Sequence, residues 1–478
     1  MNGYDRYILL KHSSVTRTVK LFRDLREAIS GTEQDFTKER LGRAIFLLSI
    51  PMALEMLMES IFAIADIYFV SKLGPDAIAT VGITESLITL VYAMALGLST
   101  ATSSIVSRRI GEKNYEGASI AAFQAILMGL VISIVLAVPG CIFSRKLLQI
   151  MGSSSVIVNE MWPFAAIMIG GNAVIMLLFI INAIFRSSGD AAISMRILLM
   201  ANLINIVLDP LLIFGIGFFP ELGIKGAAIA TTTGRGLAVL YQLYLLFSGK
   251  KRVKLARRHL RVDWKVMKIL VRLSIGGIGQ NIIATSSWIG LVRIISVFGS
   301  TVVAGYTIAL RIIVFALLPS SGLGNAASTL VGQNLGAHQA SRAERAVWIT
   351  GWVNMIFLGS LGFVLILFSE FFIRLFTADP AVVASGCEGL RIISLGFVAY
   401  AFGMVLVNSL NGAGDTVSPT IINIFCYWLL EIPLAYFLAL TLGMRENGVY
   451  ISILIAETLM TLSAFLLFKK GKWKLKKV

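Results

Sequence analysis

Glu55, Glu59 and Asp66 lie within one apolar stretch near the start of the chain. On a helix turning 100° per residue they project at about 0°, 40° and 20°, so all three share one stripe. A carboxylate in hydrocarbon is costly, and a stripe of three has to face the protein interior or a water-filled cavity. Such residues are candidates for binding a cation or moving a proton. Glu55, nearest the start of the stretch, also admits a plain solvent-facing reading. A second set follows in the run Asn-Leu-Ile-Asn-Ile-Val-Leu-Asp-Pro, which holds Asn202, Asn205 and Asp209. Asn205 and Asp209 are four apart, so their side chains meet on one helical face and the amide can donate to the carboxylate. The alternative is an Asn–Asp pair that only ties helices together. Pro210 removes the next backbone N–H.

These residues need elements to hold them, and composition says which. Of the 478 residues 57% are hydrophobic and 14% charged, against about 25% charged in soluble domains. Long apolar runs recur along the chain, and about 20 apolar residues span a bilayer as a helix. Twelve spans are expected, in an all-α polytopic membrane protein. Of the 42 lysines and arginines, 32 fall in one set of segments, both tails and alternate loops, and 6 in the opposite loops. Arg235, Arg293, Arg311 and Arg391 lie within spans. The positive-inside rule then puts both termini in the cytoplasm. The net charge of +16 is explained by this bias, so no nucleic-acid partner is expected. Residues 1–43 are too polar for a signal-peptide core; Leu21, Phe22, Leu25 and Ile29 share a face there, as in a short helix on the membrane surface or within a disordered tail. The three cysteines form no CxxC pair, and no cofactor is expected.

The chain divides into an N-terminal segment (1–43), a six-span lobe (44–247), a basic linker (248–266), a second six-span lobe (267–468) and a basic tail (469–478). The lobes resemble each other at an offset near 225 residues: Ser49-Ile50 matches Ser274-Ile275, Gly74 matches Gly299, Gly111 matches Gly336, and Ser188-Gly189-Asp190 matches Ala413-Gly414-Asp415. Repeats with an even number of spans are parallel, related by a pseudo-twofold axis along the membrane normal, and such lobes can rock about a central cavity. The acids break the symmetry. Asp66, Asn205 and Asp209 fall opposite Leu291, Leu430 and Leu434. The second lobe has polar residues of its own: Gln280, Asn281, Arg311, Glu431 and Glu457. Arg311 is a candidate partner for Glu85. Pro51 interrupts the ladder of the first span and can hinge it, although a fixed kink is the plainer reading.

Four stretches carry a family resemblance: Ala65-Asp66-Ile67-Tyr68-Phe69-Val70-Ser71-Lys72-Leu73-Gly74, Val331-Gly332-Gln333-Asn334-Leu335-Gly336-Ala337, Phe185-Arg186-Ser187-Ser188-Gly189-Asp190 and Asn411-Gly412-Ala413-Gly414-Asp415. With the spans and the repeat, the chain over 44–468 resembles the MATE (multidrug and toxic compound extrusion) transporters, closest to their archaeal and DinF-like branch. The resemblance implies a V-shaped pair of six-helix bundles in a prokaryotic plasma membrane, exporting small organic cations against protons or sodium ions. It implies that Asp66, Asn205 and Asp209 form the coupling site, whether for a proton or for sodium, and that Pro51 bends the first helix. Thr231 matches a cavity threonine. The NorM-like branch adds acids in helices 7 and 10; here helix 7 offers Gln280 and helix 10 none. The expected substrate cavity comprises Glu59, Met56, Phe62, Asn202, Thr231, Gln280 and Arg311, in a chain expected to act as a monomer. A lipid-linked oligosaccharide flippase is the rival reading, kept open by Arg235, Arg293 and Arg311. An intramembrane enzyme fits less well: His12, His259 and His338 fall in loops and tails, and no HExxH or GxSxG motif occurs.

Overall fold

The computed structural model describes residues 22–31 and 34–478. Apolar runs become helices because a backbone in hydrocarbon has to satisfy its own hydrogen bonds. The spans are α1 (Leu41–Ser71), α2 (Pro75–Gly111), α3 (Tyr115–Ile142), α4 (Ile157–Ser188), α5 (Ala191–Phe214), α6 (Ile224–Phe247), α7 (Trp264–Phe298), α8 (Ser300–Gly336), α9 (Ala340–Leu367), α10 (Pro380–Leu395 continued by Phe397–Gly412), α11 (Val417–Thr441) and α12 (Glu446–Lys469). The two parts of α10 meet at 55°. Among the described residues, ten of these helices are long and apolar enough to cross a membrane, and eleven with the bent pair. The twelfth, α6, is diluted by Lys225, Arg235 and the run Thr231-Thr232-Thr233. Residues 22–30 form a short helix; Phe22 and Ile29 are exposed and Ala28 is buried against α1. Leu21 and His12 lie outside the described residues.

The repeat is visible in the backbone. Gly74 and Gly299 enter α2 and α8 at φ of +104° and +100°, and Lys113 and His338 both turn at φ +59°. Each pair is separated by the offset read from the sequence. Helices α1–α6 and α7–α12 form two lobes, each with its own apolar core, and Leu270 and Leu273 of α7 pack into that of the first. Between them α2 packs on α7 and α1 on α8. Gly97 of α2 abuts Gly277 and Ile278, and Gly322 of α8 abuts Met52 and Ala53. These are one contact made twice, and a Cβ at either glycine would overlap the facing backbone. The segment just before α1 and the one after α12 lie at the end of the bundle that carries the α2–α3 turn: Arg108 donates to the Lys476 carbonyl at 3.0 Å, and Lys113 pairs with Asp35 at 3.8 Å. Pro51 sits inside a continuous α1, buried.

Candidate functional site

Helices α1, α5 and α6 bring four of the expected residues into one buried cluster. Asn205 Nδ2 donates to Asp209 Oδ1 and to Thr231 Oγ1, both at 3.2 Å. The Thr231 hydroxyl also lies close to Asp66, so it stands between the two acids. Asp66 is 9% exposed and Asp209 0%, so neither charge is solvated from outside. Asp66 Oδ1, Asp209 Oδ2 and Asn205 Oδ1 have no partner within the protein. Buried acceptors are nearly always satisfied, and three orphan oxygens on neighbouring side chains suit an electropositive guest. The i, i+4 spacing on α5 makes the Asn205–Asp209 contact almost automatic; the rotation of α1 and α6 supplies the rest.

Beside this cluster stands Arg235 of α6, which from sequence counted only toward the flippase reading. Its guanidinium pairs with Glu59 at 3.5 Å, donates to Tyr92 Oη at 3.0 Å and lies 4.7 Å above the Phe62 ring. Its charge also reaches Asp66. A basic residue within a span was the available signal. Glu55 is buried: Arg186 of α4 pairs with its Oε1 at 2.6 Å, and Asn182 donates to the same atom at 3.0 Å. Its solvent-facing reading is therefore excluded.

Between the lobes lies a cavity of about 840 Å³. Of the expected cavity residues, Met56, Glu59 and Gln280 line it. Phe62 instead lies beneath Arg235, and Thr231 belongs to the acid cluster. Asn202 donates to the Met58 carbonyl at 2.8 Å and ties α5 to α1. Arg311 is exposed; its charge acts on Glu85 across the gap between α8 and α2, with no direct ion pair between them. In the second lobe Ser287 donates to Glu431 at 2.6 Å and Tyr427 to Glu457 at 3.1 Å.

Known proteins share the two-lobed fold. The family model described as MatE matches residues 51–211 and again 278–437, one match per lobe. A probable multidrug resistance protein of Bacillus subtilis is 26% identical over 422 residues, 87% of this chain and 91% of that protein. An FAD transporter of Shewanella oneidensis is 26% identical over 433 residues, 90% of this chain and 95% of its own. A solved structure, the outward-facing conformation of a multidrug resistance MATE family transporter of the MOP superfamily, superposes with a TM-score of 0.86 at 25% identity, covering 92% of this chain and 98% of that one.

Proposed function

Because the chain belongs to the MatE family of membrane transporters, we propose that it is a secondary antiporter exporting organic cations in exchange for protons or sodium ions by alternating access. The observation that carries this reading is the trio of orphan oxygens on Asp66, Asn205 and Asp209. A proton satisfies a carboxylate oxygen by turning it into a donor, and sodium satisfies all three by coordination. Asp66, Asn205 and Asp209 would hold either ion, with the Thr231 hydroxyl beside them.

The coupling follows from charge. With the site empty, Asp66 and Asp209 draw on Arg235, the basic group beside them. Ion entry neutralises that field and leaves Arg235 to Glu59, which lines the central cavity. The attraction of the cavity for a cationic substrate falls, and α1 rearranges at Pro51 before the ion is released on the other side. Ion and drug then alternate rather than ride together. We place both termini in the cytoplasm on the distribution of Lys and Arg, and take the paired glycine contacts between lobes as the seal of the inner end. The domain divisions given above are part of the same proposal, as is function as a monomer.

The test is dye uptake into inverted vesicles under an imposed proton gradient or an imposed sodium gradient. The reading expects uptake under one of the two and none without either. Uptake that ignores both gradients contradicts it.

A further inference from the structure

The central cavity has a chemical bias that the coupling acids do not explain. Asp66 and Asp209 do not line it. Its one lining carboxylate, Glu59, is engaged by Arg235, and its one lining base, Arg186, by Glu55. A cation held there also meets neutral groups, and these can tell one cation from another.

Ser99, Thr100 and Ser103 of α2 supply hydroxyls from the first lobe, and the side-chain amides come from the second. Asn281, Asn408 and Asn423 all line the cavity. Asn281 Nδ2 donates to the Gly277 carbonyl at 2.8 Å, and Asn408 Nδ2 to the Met404 carbonyl at 3.0 Å. Only the NH2 face of an amide can meet a carbonyl, so these bonds fix which way each amide points. With one N–H held by its own helix, each residue leaves its carbonyl oxygen, beside the second N–H, for the cavity. Asn423 adds a third acceptor: it is 7% exposed, and its Oδ1 has no partner. The corresponding first-lobe positions, 225 residues earlier, are Met56, Ala183 and Leu198, so none of the three amides is repeated there. Trp288, Tyr400 and Tyr427 add aromatic faces, which attract any organic cation, with or without N–H groups.

We propose that the amide oxygens of Asn281, Asn408 and Asn423 form a recognition surface for organic cations that carry N–H groups, favouring amines, amidines and guanidines over fully alkylated cations of the same size. This rests on the antiport reading for the location of the substrate. An N–H cation satisfies the amide oxygens. An alkylated one desolvates them and gives nothing back, and sites built to bond a polar group reject analogues that lack it. An anionic substrate meets acceptors and a base that is already paired.

Proflavine and acridine orange share a ring system and differ in whether the two amino groups carry hydrogens or methyls. Their Kd values are measured by fluorescence anisotropy on the purified full chain in nanodiscs. The wild type should bind proflavine at least about fivefold more tightly, the worth of one neutral hydrogen bond. The Asn281→Leu, Asn408→Leu pair should bring that ratio to about one, and Asn408→Asp should tighten both dyes. If the leucine pair does not fold, the Asn281→Ala, Asn408→Ala pair gives the same reading. A wild-type ratio near one, or a ratio unchanged in the double variant, overturns the inference. Gradient-driven uptake is scored separately. Selective binding without uptake overturns the antiport reading alone, uptake without selectivity overturns this inference alone, and binding of an anionic flavin nucleotide instead of both dyes overturns both.

Discussion

The two lobes make the same contact with different chemistry. Glu55 of α1 meets Arg186 of α4 as an ion pair at 2.6 Å. At the equivalent positions 225 residues on, Gln280 of α7 meets Asn411 of α10 as a reciprocal amide pair at 3.0 and 3.1 Å. The neutral pair satisfies both side chains without desolvating a charge; the ionic pair bears that cost and needs Asn182 as well. Since the second lobe manages without charge, holding the two helices together does not require it. The charge of the first lobe belongs with the other asymmetric residues there, Asp66, Asp209 and Arg235, the lobe to which we assign ion handling.

The comparison can be broken from either side. Arg186→Ala has the largest expected effect, because it leaves Glu55 buried and unpaired. A loss of about 3–5 kcal/mol is expected, read as a large fall in Tm in detergent; an unchanged Tm would mean that the pair carries no stability. Asn411→Leu strips Gln280 of its reciprocal partner while Thr416 still accepts from Gln280 at 3.2 Å. The expected cost is about 1–3 kcal/mol, smaller than for Arg186→Ala, and the reverse order would contradict the contrast drawn here. The Glu55→Gln, Arg186→Asn double variant copies the second-lobe pair into the first lobe. It should stay within about 1 kcal/mol of wild type, and a Tm loss as large as that of Arg186→Ala would show that the first lobe needs charge to fold.

Much of this was legible in the sequence because it depends on local patterns. Apolar runs marked the spans, and α6 is weak among them because of its threonines and Arg235. The offset of 225 was readable from scattered identities, and the turns at Gly74 and Gly299 bear it out in their backbone angles. Asp66, Asn205 and Asp209 stood out because carboxylates are rare in hydrocarbon. What periodicity does not contain is the rotation of one helix about another. It could not show that Arg235 would bridge Glu59, Tyr92 and Phe62, that Asn202 would be spent on the Met58 carbonyl, or that Glu55 would find Arg186. Nor does a sequence say which end of an amide faces a cavity; the backbone carbonyls beside Asn281 and Asn408 decide that.

The central claim is that Asp66 and Asp209 couple the ion to the drug without being the drug site. The direct measurement uses proteoliposomes carrying wild type, Asp66→Asn or Asp209→Asn. It compares dye accumulation driven by an ion gradient with dye exchange at equilibrium, where no gradient is applied. The account predicts that both variants lose gradient-driven accumulation to the level of empty vesicles while still binding dye. Accumulation in both variants with the gradient dependence of wild type would contradict it.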